Sequence, residues 1–96
     1  MNEISAQEVN ALQDKRIIDV REPKEVAEGK IKDSLNIPLG LLEFRIHELD
    51  KAKEYIIVCR SGGRSGRAAQ YLENQGFKVK NMTGGMLEWQ GNTITE

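Results

Sequence analysis

Cysteine occurs once in this chain, at Cys59, and its neighbours decide what its sulfur can do. The local sequence is Val58-Cys59-Arg60-Ser61-Gly62-Gly63-Arg64-Ser65. Thiolate, not thiol, is the nucleophilic form, and hydrogen-bond donors and nearby positive charge favour it. Gly62 and Gly63 permit backbone angles closed to other residues, so successive N–H groups can turn toward one centre. Arg60, Arg64 and Arg67 add guanidinium groups that fork onto oxyanions. An isolated cysteine ending an apolar run is most often a small buried hydrophobe. A Gly-Gly pair alone most often marks only a turn. Glycines, arginines and a helix start immediately after the cysteine favour a thiolate of depressed pKa inside an anion-binding cradle.

Missing residues narrow the chemistry. A cysteine protease needs a positioned histidine base, and the only histidine, His47, reads as a solvent-facing helix residue. Walker-type phosphate binding wants a lysine after the glycines, where this chain has Arg64. One cysteine makes neither an intramolecular disulfide nor, alone, a structural zinc site, so no metal and no cofactor are expected. A thiolate attacking a small, electrophilic, anionic substrate remains. Sulfur transfer and phosphoryl transfer both qualify.

The elements that must position this loop are legible as short apolar runs alternating with helical patterns, the signature of an α/β fold. Tyr55-Ile56-Ile57-Val58 is a continuous apolar run, β-branched at three of four positions, as suits a central strand buried on both faces. Ser65 to Gln75 reads as a helix with Ala68, Ala69 and Leu72 on its inner face and Gly76 as its cap. Strand, glycine-rich loop and helix thus follow in order, and sites in open α/β sheets form where strand ends meet helix N-termini. Upstream, Ser5-Ala6-Gln7-Glu8 reads as a capping box, with Val9 and Leu12 as a short apolar face. Ile17-Ile18-Asp19-Val20 is a strand candidate. Pro23 suits the first turn of a short helix and Gly29 its end. Leu35-Asn36-Ile37 is a short strand before Pro38, and Leu39, Leu42, Ile46 and Leu49 form a helical stripe. Phe77 to Met82 alternates as a more exposed strand would. Gly84-Gly85 leads into a short segment ending near Trp89, and Gly91 to Glu96 has no clear pattern.

The 96 residues suit one domain, 1–96, with a small core. Charged residues at 30% and hydrophobic ones at 39% describe a folded chain rather than a disordered one. Net charge is −1 with no run of one sign, so nucleic acid and membrane surface gain no support as partners and any anion site must be local. No apolar stretch approaches the roughly 20 residues that span a bilayer. The N-terminus lacks the basic and apolar regions of a signal peptide, and a cytoplasmic location is expected, where a lone thiol stays free.

Cys59-Arg60-Ser61-Gly62-Gly63-Arg64-Ser65 resembles the active-site loop of single-domain rhodaneses, the thiosulfate sulfurtransferases. Three further stretches look like theirs, in the same order: Ile18-Asp19-Val20-Arg21-Glu22, Gly29-Lys30-Ile31 with Ser34-Leu35-Asn36-Ile37-Pro38, and Gly84-Gly85-Met86-Leu87-Glu88-Trp89. The match covers roughly residues 3–90. It implies a rhodanese-like fold, a five-stranded parallel sheet flanked by helices on both faces. It also implies a ping-pong reaction: Cys59 takes the outer sulfur of thiosulfate, releases sulfite, and passes the persulfide sulfur to cyanide or a thiol. On this resemblance Cys59 is the nucleophile and the backbone from Arg60 through Ser61, Gly62, Gly63 and Arg64 to Ser65 is the cradle. Arg60 and Arg64 steer thiosulfate or brace the loop. Asp19 and Arg21 end the strand beside the cysteine strand, where direct catalysis and a structural ion-pair or capping network are both open. Trp89 is a packing residue. Lys30 departs from the family's histidine and would lose a supporting hydrogen bond; Val26 stands where relatives often carry an aromatic ring.

Two other classes of function compete. Phosphatases and arsenate reductases of this fold resemble a longer loop, with five residues between cysteine and arginine, whereas Cys59 and Arg64 enclose four. A tighter loop fits a sulfur atom better than a tetrahedral oxyanion, and no second cysteine is present to resolve an arsenate intermediate. The other class is a persulfide carrier or binding module in a sulfur relay. With one cysteine, a persulfide must leave to another molecule.

Overall fold

The computed structural model describes residues 2–95; Met1 and Glu96, the two ends of the expected domain, lie outside them. Five strands form one sheet: β1 (Glu3–Ser5), β2 (Ile17–Asp19), β3 (Leu35–Asn36), β4 (Glu54–Val58) and β5 (Lys78–Thr83). All neighbouring pairs are parallel, in the order β1-β5-β4-β2-β3. The apolar run Tyr55–Val58 is therefore the central strand, with Ile57 between Ile18 of β2 and Asn81 of β5.

Alternation along β4 divides the core. Tyr55, Ile57 and Cys59 point to one face, where they pack with Ala68, Ala69 and Leu72 of helix α4 (Gly63–Asn74) and with Leu42. Ile56 and Val58 point to the other, against Ala6 and Val9 of helix α1 (Ala6–Ala11), Ile31 and Met82. Helices thus cover both faces, and strand period alone puts Cys59 on the α4 side.

Local chemistry explains the termini. Ser5 Oγ accepts from the Glu8 N–H (3.0 Å) and Glu8 Oε1 from the Ser5 N–H (3.1 Å), which makes the expected capping box. Pro23 opens helix α2 (Pro23–Val26). Gly76, at φ 94°, ends α4 in the left-handed conformation that glycine adopts without steric penalty.

Four expectations change. The helix after the cysteine begins at Gly63, two residues before Ser65, because Gly62 at φ 106° serves as its N-cap. The stripe from Leu39 to Leu49 is broken into a 3-10 turn (Leu39–Leu41), helix α3 (Leu42–Arg45) and a second 3-10 turn (Ile46–Glu48). Gly40 lies in its first turn and no side chain caps any of the three pieces. The strand from residue 77 is an interior one: β1 pairs Glu3 with Asn81 and Ile4 with Met82, burying both partners on β5. Leu12, placed on an apolar face, is 40% exposed, just past the end of α1. At the other end of the chain, Ile94 exchanges backbone hydrogen bonds with Lys30.

Candidate active site

Cys59 follows β4 directly, and α4 begins four residues later. The first helical turn leaves N–H groups without helical partners, and here they surround a sulfur atom. The Gly62 N–H donates to Cys59 Sγ at 3.1 Å. Hydrogen bonding from Ser65, fully buried in the first turn of α4, and from the Ser61 N–H also favours the charged sulfur. Burial pushes the thiol pKa up, but Ser65 and the N–H groups of Gly62 and Ser61 together outweigh it, so the pKa lies below the usual cysteine value. The residue is only 1% exposed, so a slim atom suits the site better than a bulky one.

The arginines act differently from what their clustering suggests. Arg64 forks onto Glu25 of α2, with Nη1–Oε1 at 2.7 Å and Nη2–Oε2 at 2.9 Å. That partner holds the Glu25 carboxyl far below its usual range, at about 2. Glu25 Oε1 also accepts from the Glu22 N–H (3.0 Å), so the helix start fixes its direction. Arg64 therefore braces the loop to α2, and hydrogen-bond donors are the main cause of the lowered thiol pKa. Arg60 is exposed and lines an open groove of about 240 Å³ with Arg21, Glu25, Glu28, Met86 and Leu87. Arg67 is exposed on α4, beside Leu39 and Tyr71.

Asp19 and Arg21 pair with each other, both buried: Arg21 Nη2 donates to Asp19 Oδ2 at 2.8 Å and its N–H to Oδ1 at 3.0 Å. Arg21 also donates to the carbonyls of Gly29 (2.8 Å) and Glu25 (3.4 Å), tying β2 to the C-terminal half of α2 and the turn after it. Asn36 Nδ2 closes the corner on the carbonyls of Asp19 and Arg21, each at 2.9 Å. Neighbouring carboxylate and guanidinium face one another in a supporting network, one strand from the sulfur. Lys30 makes a bond of its own, from Nζ to the Ser34 carbonyl (3.2 Å). His47 is exposed on the turn Ile46–Glu48. Trp89 packs against the α1-side core with Lys15 Nζ 5.9 Å from its ring centre.

Gly84, Gly85 and Asn81 had no mechanistic place in the sequence reading. Gly85 sits at φ 58°, and a Cβ there would come within 2.5 Å of the Cys59 carbonyl oxygen and 2.6 Å of Arg60 backbone atoms. This closeness lets the Met86 N–H reach the Cys59 carbonyl (2.8 Å) and the Leu87 N–H the Arg60 carbonyl (3.0 Å). The second glycine pair thus clamps the backbone leaving β4; the signal was an unexplained Gly-Gly after a strand. Asn81 is a buried polar residue whose amide meets Ser65 and Gly62. An asparagine in an alternating strand was its signal. A wider concavity, about 550 Å³ between α1 and the end of β5, is lined by Ser5, Gln7, Asn10 and Glu88, with no thiol among its lining residues. Chemistry, not size, assigns the site to Cys59.

Comparison with known proteins agrees with this geometry. The sequence pattern of the rhodanese-like domain matches residues 5–92. The chain belongs to the rhodanese-like family. YtwF of Bacillus subtilis, provisionally named a sulfurtransferase, is 45% identical over 87 residues, covering 91% of this chain and 84% of its own. A sulfurtransferase of Allochromatium vinosum is 37% identical over 94 residues, covering 93% and 88%. The crystal structure of a rhodanese-like domain protein from Staphylococcus aureus superposes with a TM-score of 0.94 at 30% identity, over 100% of this chain and 99% of that one. These relatives support a general role in sulfur transfer.

Proposed function

We propose that this chain is a single rhodanese domain, 1–96, that moves sulfane sulfur through a persulfide on Cys59. The observation that carries the reading is the buried Sγ atom accepting from the Gly62 N–H (3.1 Å) at the start of α4, in a loop enclosing four residues between Cys59 and Arg64. The donor is thiosulfate or an organic persulfide. The Cys59 thiolate attacks the outer sulfur of thiosulfate; the new S–S bond forms as the old one breaks, and its electron pair leaves on sulfite. The charged terminal sulfur of the persulfide then needs donors, which the loop and the first turn of α4 supply. A nucleophile, cyanide or a thiol, attacks that sulfur and leaves as thiocyanate or as a new persulfide, and the thiolate returns. Arg60 steers the anion and Arg64 braces the loop; Asp19 and Arg21 support it from β2. The acceptor is external because the chain has no second thiol, and a cytoplasmic, reducing setting keeps Cys59 free.

Thiocyanate formation from thiosulfate and cyanide tests the reaction. The reading expects turnover by the wild type and none by Cys59→Ser. Release of phosphate from an aryl phosphate, lost in the same variant, would point to the phosphatase alternative. Persulfide formation without turnover would point to a carrier in a sulfur relay.

A further inference from the structure

Asn81 joins the two sides of the cradle. Its Nδ2 donates to the Gly62 carbonyl at 3.3 Å, and its Oδ1 lies 2.5 Å from Ser65 Oγ. The carbonyl can only accept, so the NH₂ group must face it. Oδ1 therefore faces Ser65 and can only accept there. Ser65 must donate its single hydroxyl proton to Asn81. Ser65 is fully buried in the first turn of α4, three residues after Gly62, whose N–H donates to Cys59 Sγ, and a hydrogen bond from the Ser65 side chain favours the charged sulfur. With its proton on the amide, Ser65 offers the sulfur a lone pair, which suits a protonated thiol. Once the sulfur is charged, the hydroxyl can turn and donate to it, leaving Oδ1 without that partner. No proton changes owner; one O–H bond rotates between two acceptors.

We propose that Asn81 is a positioning residue for the sulfur chemistry, competing with Cys59 for the hydrogen bond of the Ser65 hydroxyl. The Ser65 hydroxyl then donates to an anionic sulfur only by giving up the Asn81 contact, which weakens the cradle's hold on the thiolate. Asn81 never touches the reacting sulfur; its action runs through Ser65. The charged groups on the surrounding elements are Glu3 on β1, which pairs with Asn81, Arg60 in the loop, Arg64 (forked onto Glu25), Arg67 and Glu73 on α4, the Asp19–Arg21 pair on β2, Glu54 on β4 with Lys80 on β5, Lys78 on β5 and Glu88 on the turn after it. None of these bonds the Asn81 amide among the described residues.

The inference rests on the reading of Cys59 as the nucleophile, but its test needs no sulfur donor, so the two can fail separately. Because the chain has one cysteine, thiolate absorbance against pH, corrected with Cys59→Ser, reports Cys59 alone. Asn81→Leu removes the competing acceptor, while the Gly62 carbonyl keeps its Gly66 N–H (3.0 Å). The expected result is a thiol pKa about one unit below wild type, since the hydroxyl now serves only the sulfur. Ser65→Ala should raise the pKa, and adding Asn81→Leu to it should change nothing further. Asn81→Ala serves as the second variant if leucine prevents folding. A pKa unchanged or raised by loss of Asn81, with Ser65 present, would overturn the proposal and leave Asn81 a plain brace.

Discussion

At Cys59 two influences oppose each other: burial favours the neutral thiol, and the donors of Ser65, Gly62 and Ser61 favour the thiolate. The nucleophile candidate, its glycines and the helix start could be picked out because their residue types are unusual at that spacing. The direction of Arg64 could not, since its partner Glu25 is 39 residues away in sequence and only the fold brings them together. This pair makes a pH-dependent prediction. Glu25 has a pKa lowered from 4.5 to about 2, so its contribution to stability is complete above 4.5 and is lost as pH falls toward 2. At pH 7, Glu25→Gln should cost about 1 kcal/mol, as suits a partly exposed bidentate pair. Urea unfolding at pH 7 and pH 3 checks it: the difference between wild type and variant should shrink at the lower pH. An equal difference at both would mean that the ion pair contributes nothing.

At the level of elements, strand and helix types followed from apolar period, and their edges from glycine, proline and the Ser5–Glu8 box. Two features escaped. The three residues of β1 carry too little pattern to mark a strand, and without β1 the strand β5 looked like an exposed one. The role of Gly85 after Gly84 was not legible because its constraint, contact with the backbone of Cys59 and Arg60, is tertiary. The glycines near the site should therefore respond in opposite ways. Gly85→Ala forces a Cβ into backbone at 2.5 Å and should lose roughly 3 kcal/mol or more. Gly63→Ala meets nothing within 4 Å and lies in the first turn of α4, so it should stabilise by about 0.5 kcal/mol. Thermal denaturation of both variants separates the cases, and similar melting points would refute the clamp.

Across the whole molecule, β4 divides the core and delivers Cys59 to the α4 face, so packing and chemistry share one strand. Ile57, fully buried at the centre of the sheet, should cost about 3–4 kcal/mol as Ile57→Ala, a large share of the stability of a small protein. Calorimetry should show a melting point lowered by well over ten degrees; a small shift would mean that the core is not organised around β4. The fold class was legible because its signal repeats in every element. The site was legible only where residues adjacent in sequence form it, and Asn81, Gly85 and Glu25 reach it from other elements. The most direct test of the central claim is intact-mass measurement of the wild type and Cys59→Ser after exposure to thiosulfate and, separately, to an organic persulfide. The account predicts a gain of one sulfur atom on the wild type, removed by cyanide, and none on the variant. No gain with either donor, or an equal gain on Cys59→Ser, would contradict it.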